Sequence, residues 1–166
     1  MKRRVVSHVR IKQLPLSISA SAKRESRSQF AALPFRVADG GVQILLITSR
    51  RTKRWILPKG WPEDGMTPAQ SAEREAYEEA GVTGKTYDMC LGVYSFEKYV
   101  NDAPDLPVVA LVYPLKVKQV ARAWPEQGER RRKWFTPKKA AACVDMPELK
   151  RILRQFDPAI LKGRAA

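Results

Sequence analysis

Two apolar runs early in the chain are built from residues that favour strands: "FAALPFRV" (30–37) and "GVQILLITS" (41–49). Between them "ADGG" supplies Asp-Gly, a pair at ease in the positive-φ turn of a tight hairpin. "RWILPKG" (54–60) reads as a short strand ending in a Pro/Gly loop, and "GWPEDGM" (60–66) as a loop. A helix then begins at a well-marked boundary. Thr67 is placed to cap it, Pro68 suits the first helical position, Gln70 completes a capping box, and Gly81 is the expected stop. Beyond it, "YDMCLGVYSFEKYV" (87–100) and "LPVVALVYPLKV" (106–117) look like two strands joined by the polar "NDAPD". "ERRRKWF" (129–135) leads into "TPKKAAACV", and "PELKRILRQF" (147–156) has helical spacing at Leu149, Ile152, Leu153 and Phe156. The order of strands, helix, strands, helix predicts an α+β domain with a mixed sheet between helices.

The first helix repays a closer look. At about 100° per residue, Ala69, Ala72, Ala76 and Ala80 form one narrow stripe, small enough for close packing on a sheet. Glu75, Glu78 and Glu79 fall together on a neighbouring face, while Glu73 points roughly opposite and reads as a solvated surface charge. Like charges three or four apart cost a helix roughly 0.2–0.5 kcal/mol per pair. A shared multivalent cation removes that cost, and hard carboxylate oxygens suit Mg²⁺ or Mn²⁺. The plain alternative is an ordinary glutamate-rich exposed helix.

Composition narrows the rest. A chain of 166 residues with 44% apolar content suits one domain with a full-sized core. No run of 18 apolar residues is present, so no membrane partner is expected. Cys90 and Cys143 have neither metal spacing nor a disulfide framework, which points to a reducing, cytoplasmic setting. The lone His8 argues against histidine metal sites and Ser-His-acid triads. Residues 1–28 hold eight basic residues against Glu25, half of the net charge of +14. The expected organisation is a basic, flexible extension over 1–26, a domain over 27–158 and a C-terminal tail over 159–166. The extension is Arg- and Ser-rich and poor in acids, as transit peptides are. The charge suits a polyanionic small-molecule substrate; nucleic acid, reached through the basic extension, is the less favoured alternative.

"GWPEDGMTPAQSAEREAYEEAGV", from Gly60 to Val82, resembles the Nudix box. That family's pattern is Gly, five residues, Glu, seven residues, then Arg-Glu-apolar-x-Glu-Glu-x-Gly-apolar. Gly60, Arg74, Glu75, Ala76, Glu78, Glu79, Gly81 and Val82 stand at the required positions. The resemblance implies the Nudix fold, an α/β/α sandwich with a mixed sheet and the box as loop–helix–loop. It implies hydrolysis of a nucleoside diphosphate linked to another moiety, or of a related polyphosphate. Glu75 and Glu79 would be metal ligands, and Glu78 a third carboxylate that helps bind metal or deprotonates the attacking water. Arg74 would hold the carboxylates, and the Lys59 carbonyl would be a further ligand. Met66 departs from the pattern, standing where the family has its first glutamate. A thioether is a poor Mg²⁺ ligand, so a reduced metal count is expected, with Glu63 or Asp64 as substitutes.

Over residues 27–156 the order of "SRRTKRWILPKG", the box and "ERRRKWF" is similar to the diphosphoinositol polyphosphate phosphohydrolases. That Nudix branch also cleaves diadenosine polyphosphates. The resemblance would turn Arg27, Arg36, Thr48, Ser49, Arg50, Lys59 and Arg131 toward substrate phosphates, to which arginine forks are well matched. Trp55 and Trp134 read as core residues. Tyr99 stands 17 residues after Val82, where diadenosine polyphosphate hydrolases of the family carry a tyrosine, and Glu97 is a candidate extra base or ligand. Two other readings compete. One is an RNA 5′-pyrophosphohydrolase, although "LPKGW" lacks the glutamine of that branch. The other is a non-catalytic Nudix-fold module that binds nucleotides or nucleic acid.

Overall fold

Asp39 and Gly40 both take positive φ, 52° and 74°, and close the hairpin between β1 (Ser28–Ala38) and β2 (Gly41–Thr48). The two strands pair only near this turn, from Phe35↔Ile44 to Ala38↔Gly41. Farther on they part, and two short strands fill the gap. β3 (Trp55–Ile56) pairs with β2 at Ile47 and Thr48, while β4 (Lys59–Gly60) pairs with β1 at Phe30 and Ala31. This computed structural model describes residues 27–100 and 103–164, with Pro15 besides; the side chains at 99–100 and 103–106 lie outside that description. The basic extension expected over 1–26 and the side chain of Tyr99 therefore fall outside the described residues.

On its other side β1 runs parallel to β7 (Ala103–Val120), from Ser28↔Val109 to Phe35↔Lys116. β7 is long enough to carry two further partners, β6 (Gly92–Val100) along its first half and β5 (Val82–Thr86) along its second. β8 (Arg132–Phe135) pairs with β2 on the side away from β1, since Ile44 is opposite both Phe35 and Phe135. The eight strands among the described residues form one mixed sheet.

Alternation along β1 divides the core. Ala31, Leu33 and Phe35 face one cluster, and Phe30 and Ala32 the other. β1 is buried on both faces, as a central strand with a parallel neighbour must be. Over one face lies α1 (Pro68–Ala80), whose four alanines are each at most 1% exposed. Thr67 and Gln70 exchange the two bonds of a capping box, and Gly81 ends the helix at φ 65°. Over the other face pack α2 (Pro137–Cys143) and α3 (Pro147–Gln155), through Ala140, Ala141, Leu149 and Leu153. The α/β/α sandwich and mixed sheet are as expected. One helix more is present: Thr136 caps α2 and Pro137 begins it, the same start signal that marks α1.

One boundary needs correction. The segment 159–166 is not wholly a tail, because Pro158–Leu161 forms a 3₁₀ turn. Asp157 caps that turn, and Leu161 is 5% exposed within the core that α2 and α3 cover.

Candidate active site

The parting of β1 from β2 places β4 beneath α1, and the box residues meet there. Gly60 in β4 lies against the carboxylate of Glu75; a Cβ at position 60 would overlap it. One turn farther along α1, each oxygen of Glu79 accepts one hydrogen bond. Oε2 accepts the Lys59 backbone N–H at 3.1 Å, and Oε1 accepts from Arg130 Nη2 at 2.7 Å. Glu78 points along the helix surface, where Arg74 Nε donates to it at 2.9 Å. Arg74 Nη1 also lies 3.7 Å from Glu63, so Arg74 pairs with Glu78 and Glu63.

The three carboxylates are neighbours on α1 but do not gather as a ready ligand set. Among the described residues, no group of three His, Cys, Asp or Glu side chains is arranged to hold a metal. One reason is local charge balance: Arg74 draws Glu78 outward along the helix surface, away from Glu75 and Glu79. Residues three and four apart share one helix face, so side-chain rotation alone separates this arrangement from a shared one. Glu75 makes no hydrogen bond or ion pair with another described residue. Its carboxyl is pushed up to about 7, by burial first and then by Glu79, Glu78 and Glu63. Burial pushes Glu79 up as well, against the opposing pull of Arg130 and Lys59. A half-buried carboxylate without a cation among the described residues, in the field of four others, fits a divalent ion.

Cations and aromatics line the same region. The Lys59 ammonium lies 4.8 Å from the centre of the Phe96 ring, and burial lowers its pKa to about 8 despite Glu79. Lys98 lies 4.7 Å over Trp61; burial lowers its pKa too, with Glu79 and Glu75 acting against the shift. Tyr94 is buried beside them on β6, and its hydroxyl has no hydrogen-bond partner among the described residues. Burial and Glu79 both raise its pKa, so it remains a neutral donor.

The expected phosphate-binding residues separate into three groups. Lys59 sits in the site, and Arg50 beside it pairs with Glu129 at 3.2 Å and Glu126 at 3.9 Å. Arg27 and Arg131 are exposed, at the start of β1 and just before β8. The remaining three are corrected. Thr48 is 3% exposed, and its hydroxyl accepts the Arg131 N–H, so it fastens a backbone. The Ser49 hydroxyl closes the 49–54 turn against Thr52 and the Arg54 N–H. Arg36 bonds Gln43 across the hairpin and stacks 4.1 Å from the Trp134 ring centre. It stands five residues along β1 from Ala31, the partner of Lys59, or roughly 16 Å of strand, and does not join the site. Glu73 is corrected too: it is half-buried, with the Gly84 backbone N–H near its carboxylate. Trp55 packs edge-on against Phe135 and Trp134 borders the α1 core, as core residues should. Glu97 is exposed, and Met66 is half-buried in its loop.

Several participants were not anticipated. Arg130, with a side chain 6% exposed, bonds Glu79, Glu126 and the Thr48 carbonyl. Arg132 donates to the carbonyls of Ala80 and Ala121, stacked 3.8 Å from the Trp124 ring centre. The "ERRRK" run carried the signal, since strand alternation sends its first and third arginines one way and Arg131 the other. Only the pairing of β8 with β2 tells which way is inward.

The family description "NUDIX domain" matches residues 27–156. Nudix hydrolase 12, mitochondrial, of Arabidopsis thaliana is 32% identical over 118 residues, covering 69% of this chain and 58% of that protein. Diphosphoinositol polyphosphate phosphohydrolase 3-beta of Homo sapiens is 34% identical over 111 residues, covering 66% of this chain and 63% of that one. The chain therefore spans less than two thirds of the length of these relatives. The crystal structure of a C. elegans Ap4A hydrolase superposes with a TM-score of 0.55 at 24% identity, covering 82% of this chain and 98% of that one.

Proposed function

The chain belongs to the Nudix family of hydrolases, and on that footing we propose that it is a Mg²⁺-dependent pyrophosphohydrolase. Its substrates would be diphosphoinositol polyphosphates, diadenosine polyphosphates or both. The observation that carries this reading is Glu75: half-buried, without a cation partner among the described residues, and flanked by Glu79 on the helix that bears the box. Glu75, Glu79 and Glu78 would hold the metal, and Glu63, whose charge already acts on Glu75, supplies a carboxylate where Met66 offers none. Bound there, Mg²⁺ or Mn²⁺ would screen phosphate charge and lower the pKa of a coordinated water.

The chain's own residues account for the rest. Water attacks phosphorus in line, the bond from phosphorus to the bridging oxygen breaks, and the departing phosphate keeps that oxygen. Glu78, freed from Arg74, accepts the proton of the water. Lys59, Lys98 and Arg50 balance the nonbridging oxygens. This concentration of cations at one edge of the sheet suits a highly charged polyphosphate.

The test is a side-by-side kcat/KM for a diphosphoinositol polyphosphate, diadenosine tetraphosphate and triphosphorylated RNA, each with Mg²⁺ and with Mn²⁺. Hydrolysis of either of the first two, lost in Glu79→Gln, is the expected result. A clear preference for RNA would transfer the assignment to a 5′-pyrophosphohydrolase. No metal-dependent hydrolysis across the panel would sink the reading and favour a non-catalytic binding module.

A further inference from the structure

The end of α1 is covered by one segment, residues 121–132, with unusual completeness. A helix leaves its last carbonyls without internal partners, and here that segment supplies them in succession. Glu126 N–H bonds the Glu78 carbonyl at 3.1 Å, and Trp124 Nε1 bonds that of Glu79 at 3.3 Å. Arg132 Nη1 takes the carbonyl of Ala80, and Ala121 N–H that of Gly81, both at 2.8 Å. From the same segment Arg130 reaches past the backbone to the Glu79 carboxylate. Its Nη2 holds Oε1, its Nε pairs with Glu126, and its Nη1 lies 3.2 Å from the Thr48 carbonyl.

We infer that Arg130 is a positioning residue, which fixes the Glu79 carboxylate for metal binding and so for the proposed hydrolysis, on which the inference rests. Each carboxylate oxygen has two acceptor sites. Arg130 and the Lys59 N–H use one apiece, locking the plane of the group while a site on each oxygen stays open. The guanidinium is itself held on three sides and buried, so it is rigid and does not contact substrate. Lysine cannot reproduce this, since one ammonium replaces a planar fork of donors. Partners that orient a metal ligand typically change metal affinity or activity about 10–100-fold when removed.

The experiment compares the full chain with Arg130→Gln, Arg130→Lys and Glu126→Gln, using Arg154→Gln on the exposed face of α3 as a control. Mn²⁺ affinity is measured by calorimetry, and kcat and KM on whichever substrate the wild type cleaves. Arg130→Gln should weaken Mn²⁺ binding and lower kcat, each about 10–100-fold, with KM nearly unchanged. Arg130→Lys should recover little. Glu126→Gln, which keeps the Arg130–Glu79 pair, should show a smaller loss in the same direction, and it decides the matter if the Arg130 variants do not fold. Unchanged Mn²⁺ affinity in folded variants overturns the inference. So does a raised KM with intact metal binding, which would make Arg130 a substrate contact. A wild type that binds Mn²⁺ but cleaves nothing refutes the proposed function, while calorimetry still decides the role of Arg130.

Discussion

The carboxylate of Glu75 rests against Gly60 so closely that position 60 has no room for a side chain. Gly60→Ala should therefore act on the site before it acts on the fold. The atoms in the way are the far end of a flexible side chain, which can rotate out, whereas the pairing of β4 with β1 uses backbone alone. The expected result is Mn²⁺ affinity weakened by about tenfold or more, with little change in the unfolding midpoint. Calorimetry and thermal unfolding on the same sample check it. A large loss of stability with metal binding retained would show that Glu75 does not occupy this place.

Without metal, stability should fall as pH rises toward neutrality. The Glu75 carboxyl is raised from 4.5 to about 7, chiefly by burial, and Glu79 shifts the same way. Between those values the folded protein holds a proton that the unfolded chain has released. Linkage then gives stability that is complete below about pH 4.5 and lost as pH climbs through about 7. The unfolding midpoint in chelator should decline across that window, and Glu75→Gln should flatten the decline. Mg²⁺ should raise the midpoint most at the upper end, where no proton competes for the carboxylates. A midpoint in chelator that rises between pH 5 and 7 would contradict the described burial.

Much of this site could be read from the sequence because its signals are local. Thr67, Pro68, Gln70 and Gly81 fix α1 through neighbours within four residues, and Asp39-Gly40 does the same for the hairpin. The Arg74–Glu78 pair is likewise one helical turn apart. What escaped depends on pairing between distant segments. Thr48 looks like an exposed phosphate contact until β8 docks beside it, and its hydroxyl then belongs to the Arg131 N–H. Arg130 looked like one charge in a basic run until the 121–132 segment closed over the end of α1. Convergence of the glutamates was legible on the wheel, whereas their capture by Arg74 and Arg130 required coordinates.

Glu73 illustrates the same limit with a measurable consequence. The wheel places it opposite the other glutamates, yet β5 passes close enough for the Gly84 N–H to reach its carboxylate. Glu73→Ala removes that acceptor and should cost about 0.5–1.5 kcal/mol, read from urea unfolding, with hydrolysis unaltered. A change below about 0.3 kcal/mol, within the range of ordinary surface substitutions, would restore the solvated reading.

The C-terminal boundary can be tested by two adjacent residues of similar size and opposite exposure. Leu161 is 5% exposed and belongs to the core beneath α2 and α3, while Ile160 is 44% exposed. Deleting buried methyl groups costs their transfer free energy and leaves a cavity, about 2–5 kcal/mol for leucine to alanine. Leu161→Ala should lie near the lower end, because the 3₁₀ turn at the edge of the core can partly collapse. Ile160→Ala should stay within about 0.5 kcal/mol of the wild type. A chain ending at Pro158 should lose at least as much stability as Leu161→Ala, since it also removes the Ala159 N–H that Asp157 caps. Urea unfolding of the three variants decides the point: equal, small effects at positions 160 and 161 would make 159–166 a tail after all.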